Sequence, residues 1–159
     1  DDVNTSIRSK VLQLLESVED SLGGLSFSGI RVLCGKDFWA KLVEHPSVKE
    51  SYLATQAAAT LRGDPRMEFE HAGVMWERYR GTSDVKIADT EAFAVPEGVV
   101  DLFIARNAPA DYVETVGTLG QPMYAKQWIP EPGRAVHMEA QANPLFLCTR
   151  PHAVKKLTV

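Results

Sequence analysis

At 159 residues, with 45% apolar and 24% charged side chains, the chain has the composition of one ordinary globular domain. A chain of this size buries roughly two-thirds of the surface its unfolded form exposes, so it needs no disulfide or metal staple. A net charge of −4 and a pI near 5.6 count against a domain built to neutralise phosphates, and no apolar run of about 18 residues offers a membrane span.

The chain opens on Asp1-Asp2, without Met or an apolar signal segment, and passes directly into a helical pattern. Such a start is expected of an excerpt or a processed piece of a longer protein. Val3, Ile7, Val11, Leu14, Val18 and Leu22 form one apolar stripe, which predicts an amphipathic helix packed on the chain's own sheet. Asn4, Thr5 and Ser6 offer capping oxygens at its start, and Gly23-Gly24 a left-handed stop at its end. Gly29 to Leu33 reads as a buried strand, with Cys34-Gly35 as the turn after it. Asp37 could cap the next helix, in which Phe38, Trp39, Leu42 and Val43 share one face. Pro46 opens a further helix expected from about Ser47 to Leu61, rich in Ala and ended by Gly63-Asp64-Pro65.

From Met67 the period becomes alternating. A β-hairpin is expected at about Arg66–Arg80, turning at His71-Ala72-Gly73, with Val74 and Trp76 on one face. Gly81 to Asp89 is polar and reads as a loop. Ala92–Val95 and Val99–Ala105 read as strands around a Pro96-Glu97-Gly98 turn. Tyr112–Val116 is a short helix or an extended piece. Met123–Ile129 and Ala135–Gln141 read as two strands around Pro130-Glu131-Pro132-Gly133, a tip with nothing apolar to bury. Leu145–Thr149 and Val154–Val159 then finish the sheet. With helices concentrated in residues 1–62 and strands in 63–159, the expectation is one α+β domain.

Motifs that carry chemistry are weak. Gly24-Leu25-Ser26-Phe27-Ser28 lacks the final Gly of a nucleophile elbow and follows a helix. His45, His71, His137 and His152 stand singly, without metal-ligand spacing. Cys34 and Cys148 lie far apart and read as two buried thiols in a reducing compartment. Asp111 and Glu114, three residues apart, fit a helix cap better than an acid–base pair. Trp76-Glu77-Arg78-Tyr79-Arg80 interleaves aromatic and basic residues as a single-strand nucleic-acid site would, but also as a half-buried strand does. The expectation is no catalytic, metal or cofactor site.

Five segments in order resemble the capsid protein E family of lambda-type tailed phages. They are Arg31–Trp39 with Leu42 and His45–Lys49; Phe69–Tyr79; Ala108–Asp111 with Glu114–Gly117; Gln141–Leu145; and Arg150-Pro151. The resemblance covers nearly the whole chain. It implies the Hong Kong 97-like major capsid fold and a structural subunit of an icosahedral head, assembling as pentamers and hexamers around the genome. Family members are about twice as long, so the chain resembles the C-terminal half: an axial domain plus the returning strands of a peripheral domain. No catalytic residue carries over. The partners implied are copies of the chain itself, with scaffold and head-decoration proteins as further candidates; neither sequence-specific nucleic-acid binding nor membrane binding is implied. The site implied is the virion capsid, reached from the bacterial host cytoplasm. Axial-domain loops of this family lie near neighbouring subunits, which makes Glu131 and Arg134 interface candidates. Two alternatives belong to other classes: a ligand-binding module or enzyme with a site of scattered loop residues, and a tail or head-completion protein.

Overall fold

The structure, a computed structural model, describes residues 6–49, 52–54 and 67–159. They divide between two compact units, one drawn from Asp1–Val100 and Arg150–Val159, the other from Asp101–Thr149.

The first unit is a five-stranded sheet with helices. Its strands are β1 (Gly29–Cys34), β2 (Glu68–His71), β3 (Val74–Arg78), β4 (Glu91–Glu97) and β9 (Lys155–Thr158). Their order is β2-β3-β1-β4-β9. β1 runs parallel to β3 and antiparallel to β4, and the two outer pairings are antiparallel. Alternation along β1 buries Ile30, Val32 and Cys34 and leaves Arg31 and Leu33 half-buried on the other face. The same alternation buries Phe69, Val74, Trp76, Ala92 and Ala94. Against that face pack the stripe of α1 (Ile7–Leu22), through Val11, Leu14, Val18 and Leu22, and α2 (Lys36–Glu44), through Phe38, Trp39 and Leu42. Each large side chain so buried contributes about 1.5–3 kcal/mol.

Three aromatic rings tie α2 to the β2 edge. Trp39 meets Phe69 at 5.4 Å and Tyr52 at 6.0 Å, both edge-to-face, and Tyr52 meets Phe69 at 5.3 Å. Residues 46–49 and 52–54 are helical, as the Pro46 reading anticipates. Val3, Asn4, Thr5 and the Ala-rich stretch 57–59 lie outside the described residues. Ser6 is the N-cap of α1 without a side-chain capping bond, and Gly23 ends the helix at φ 61°.

Several boundaries differ from the sequence reading, each for a local reason. Cys34 belongs to β1, and Gly35 makes the turn; a Cβ there would collide with the carbonyl oxygens of Ala88, Asp89 and Glu91. Asp37 lies in the first turn of α2, whose N-cap is Gly35. Pro96 lies in β4, beyond the last residue that β9 pairs with, so the turn begins later, at Gly98. Val99 to Leu102 are not strand.

The second unit has two separate ribbons instead of a continuation of the main sheet. β5 (Phe103–Asn107) pairs antiparallel with β8 (Pro144–Cys148), and β6 (Tyr124–Trp128) with β7 (His137–Gln141). A 3₁₀ turn at Val113–Thr115 lies in the connection from β5 to β6. Among the described apolar residues of this unit, Leu102 and Ala110 alone are fully buried. A two-stranded ribbon without a packed face is marginal in water.

Candidate interface surfaces

The residues singled out from sequence, Glu131 and Arg134, occupy the connection between β6 and β7 and are exposed. Gly133 allows the tight reversal, at φ 81° with its N–H donating to the Pro130 carbonyl at 2.7 Å. Apolar side chains flank the polar tip Pro130-Glu131-Pro132-Gly133. Trp128, Ile129 and Val136 at its base are 42%, 65% and 61% exposed. Trp128 stacks on His137, with ring centres 5.6 Å apart.

The longer connection, residues 108–123, is a surface that sequence reading missed. It is held by polar contacts. Asn143 accepts the Ala108 N–H on its carbonyl and donates its amide to the Pro109 carbonyl, both at 2.9 Å. The Asp111 N–H donates to the Gln141 side chain at 2.9 Å. The Thr115 hydroxyl lies 2.8 Å from the Tyr112 carbonyl and also reaches that of Ala110. The Tyr124 hydroxyl accepts the Gln121 N–H at 2.8 Å and donates to the Leu119 carbonyl at 3.3 Å. Gly120 lets the loop pass the Asn107–Ala108 backbone, where any Cβ would overlap the Asn107 carbonyl.

Glu114 does not reach back to cap the turn, and the Asp111–Glu114 spacing makes no capping box. Instead Lys126 donates to both Glu114 carboxylate oxygens, at 2.8 and 2.9 Å. That bond holds the Glu114 carboxyl below its ordinary value. Lys126 also stands 5.1 Å from the centre of the Tyr112 ring. Burial raises the Tyr112 phenol, with the Glu139 charge adding to it, and its hydroxyl is buried without a partner. On this braced frame Val113, Val116, Leu119 and Met123 are 88%, 80%, 88% and 70% exposed.

The β5–β8 ribbon carries large apolar side chains on both faces, with Arg106 opposite Leu145. By register, Phe103, Phe146 and Cys148 share one face, and Ile104, Leu145 and Leu147 the other. Phe146 is 76% exposed. The run Leu145-Phe146-Leu147 reads from sequence as a strand finishing the sheet, but its side chains are exposed in the described structure.

In the first unit, Arg31 pairs with three carboxylates of the open sheet face. Arg31 donates to Glu97 at 2.7 Å, Glu77 at 2.9 Å and Glu68 at 3.3 Å. These bonds, that to Glu97 first, raise its pKa further. The cluster separates Glu68 from Glu77, which face each other in the β2–β3 register. Within the Trp76–Arg80 stretch, Trp76 is buried and Glu77 pairs with Arg31, as a half-buried strand requires. A shallow cleft is lined by Ser6, Arg8, Leu12, Ser47, His71, Ala72 and Gly73. Burial, then the Arg8 charge, lowers the His71 pKa. Cys34 and Cys148 are both free; Cys34 is buried and its thiol pushed up to about 12 by that burial, whereas Cys148 is half-buried. Among the described residues, no group of His, Cys, Asp and Glu could hold a metal ion, and no helix is long and apolar enough to cross a membrane.

These features define an α+β protein whose most developed surfaces are apolar and suited to contact with other polypeptide. The chain belongs to the phage major capsid protein E family, whose model matches residues 1–159. It is 25% identical over 181 aligned residues to the major capsid protein of Pseudomonas phage KPP10, covering 98% of this chain and 52% of that protein. It is 24% identical over 187 residues to the major capsid protein of Salmonella phage Felix O1, covering 95% of this chain and 51% of that one. The chain therefore spans about half the length of these relatives. Its fold is similar to a crystal structure assigned to a capsid protein of an E. coli CFT073 prophage, with a TM-score of 0.58 at 14% identity, over 100% of this chain and 49% of that one. The α+β capsid fold expected from the sequence is thus the fold observed.

Proposed function

We propose that this chain is part of a structural subunit of an icosahedral phage or prophage head that assembles with copies of itself, as pentamers and hexamers, around the genome. The observation that carries this reading is the second unit, where twelve large apolar side chains among the described residues are exposed and one, Leu102, is buried. Monomeric proteins rarely leave so much contiguous apolar surface uncovered. A shell subunit covers it, and many weak contacts add up through symmetry.

On this reading the chain is the C-terminal half of the subunit. It holds the axial domain and the returning strands of the peripheral domain. The β5–β8 ribbon, with large apolar side chains on both faces, then packs against the half of the protein outside this chain. The role is non-enzymatic. The protein resides in the virion capsid after assembly in the bacterial cytoplasm, with scaffold and decoration proteins as further partners. The net charge of −4 suits a container whose wall must not hold the packed genome tightly. The test is sedimentation of the complete protein expressed alone. Particles of shell size are expected; a stable monomer at all concentrations would overturn the reading.

A further inference from the structure

We infer that the loop Val113–Met123 is a preformed contact between copies of this chain, with Val113, Val116 and Leu119 as its anchors. This rests on the shell reading, which assigns no contact to this loop.

The loop differs from the other exposed apolar surface. The β5–β8 ribbon carries large apolar side chains on both faces and has two free edges, as a layer missing its neighbours has. The loop is finished. Its backbone is tied by the hydrogen bonds of Thr115 and Tyr124, the segment leading into it by those of Gln141 to Asp111 and Asn143 to Pro109, and it passes Asn107 at a Gly120 contact that no other residue permits. Such a loop needs no cover to hold its shape, so its apolar side chains are left for a partner. Val113 and Val116, three residues apart across a 3₁₀ turn, stand one above the other on the same side. A loop ordered before contact loses little conformational entropy on binding.

Charge and area point to a second copy as the occupant. At a twofold contact between copies identical surfaces meet, and there an uncompensated charge faces its own image and repels it. Within residues 113–123 the single charged side chain is Glu114, and Lys126 holds both its oxygens. The patch is therefore neutral and apolar, as a self-contact requires. Four side chains exposed to this degree offer on the order of 500 Å², short of the roughly 800 Å² per partner that a standing complex buries. One such contact does not hold a pair together, but repeated around a closed shell it does. Isolated subunits then stay apart until the other contacts form.

The experiment combines two measurements. In the complete protein, Val116→Asp and Leu119→Asp are expected to cut particle yield at least about tenfold, because a carboxylate is then desolvated in every copy of the contact. The subunit's melting temperature should not change, and Leu119→Met should assemble as wild type. Normal assembly of the Asp variants would overturn the proposal. So would a lowered melting temperature of the unassembled subunit, which would show the loop packed within its own chain. In parallel, methyl chemical shifts of the present chain are followed on dilution from about 1 mM, the range of a contact this weak. Concentration-dependent shifts confined to residues 113–123, absent in Leu119→Asp, are expected. Wild-type protein that forms no particle but keeps these shifts would refute the shell reading and leave the loop contact standing. No particle and no shifts would refute both.

Discussion

Trp39→Ala tests the packing of the first unit most sharply. The indole is 6% exposed and makes two edge-to-face contacts, with Phe69 at 5.4 Å and Tyr52 at 6.0 Å. Removing a buried Trp costs about 3–5 kcal/mol through lost transfer energy and the cavity left behind. The two ring contacts, about 0.5–1.5 kcal/mol each beyond burial, place this site in the upper half of that range. With a urea slope of roughly 1–3 kcal/mol per molar, the unfolding midpoint should fall by on the order of 2 M. Trp76, 3% exposed in the same core, reports the transition by fluorescence after Trp39 is gone. Trp39→Phe keeps a ring and should cost less than half as much. Trp128→Ala, at a site 42% exposed, should stay within about 0.5 kcal/mol. A loss below about 1 kcal/mol for Trp39→Ala would mean that the three-ring cluster does not hold α2 to the sheet.

Three further outcomes follow from named contacts. Arg31→Ala leaves Glu68, Glu77 and Glu97 facing one another without their cation; since these groups are about 35–43% exposed, the cost should be about 1 kcal/mol and should shrink as salt rises, which melts at two ionic strengths would check. With a thiol reagent at neutral pH, Cys148 should react first and Cys34, buried and shifted to about 12, only on unfolding, so two equally fast thiols would contradict the burial of β1. In the complete protein, Glu131→Lys or Arg134→Glu alone should impair assembly at unchanged melting temperature, and the double swap should partly restore it; normal assembly in all three would leave the tip a solvated turn.

What could be read from the sequence was what periodicity records. The stripe of α1, the alternation of β1 and β3 and the Ala72-Gly73 reversal are local patterns, and each element lies where its pattern puts it. Pairing between distant strands leaves no such trace. Leu145-Phe146-Leu147 reads as a strand finishing the main sheet, whereas it pairs with β5 in a separate ribbon. Arg31 met its three carboxylates only in the structure, across separations of 37, 46 and 66 residues. The 113–123 surface was hidden for another reason. Its apolar residues are set among Thr, Gly and Pro without a period, and the segment leading into it is held by Gln141 and Asn143, at and just beyond the end of β7. The single usable signal was a set of large apolar residues in a segment with too little regular structure to bury them.

The central claim is that this chain's second unit is covered by other polypeptide in an assembled shell. Electron cryomicroscopy of the complete protein expressed alone tests it directly. Closed particles are expected, with the five-stranded unit fitting the density unchanged and with Phe146, Val116 and Leu119 buried against neighbouring density. Particles in which these three side chains face solvent, or no particles at all, would contradict it.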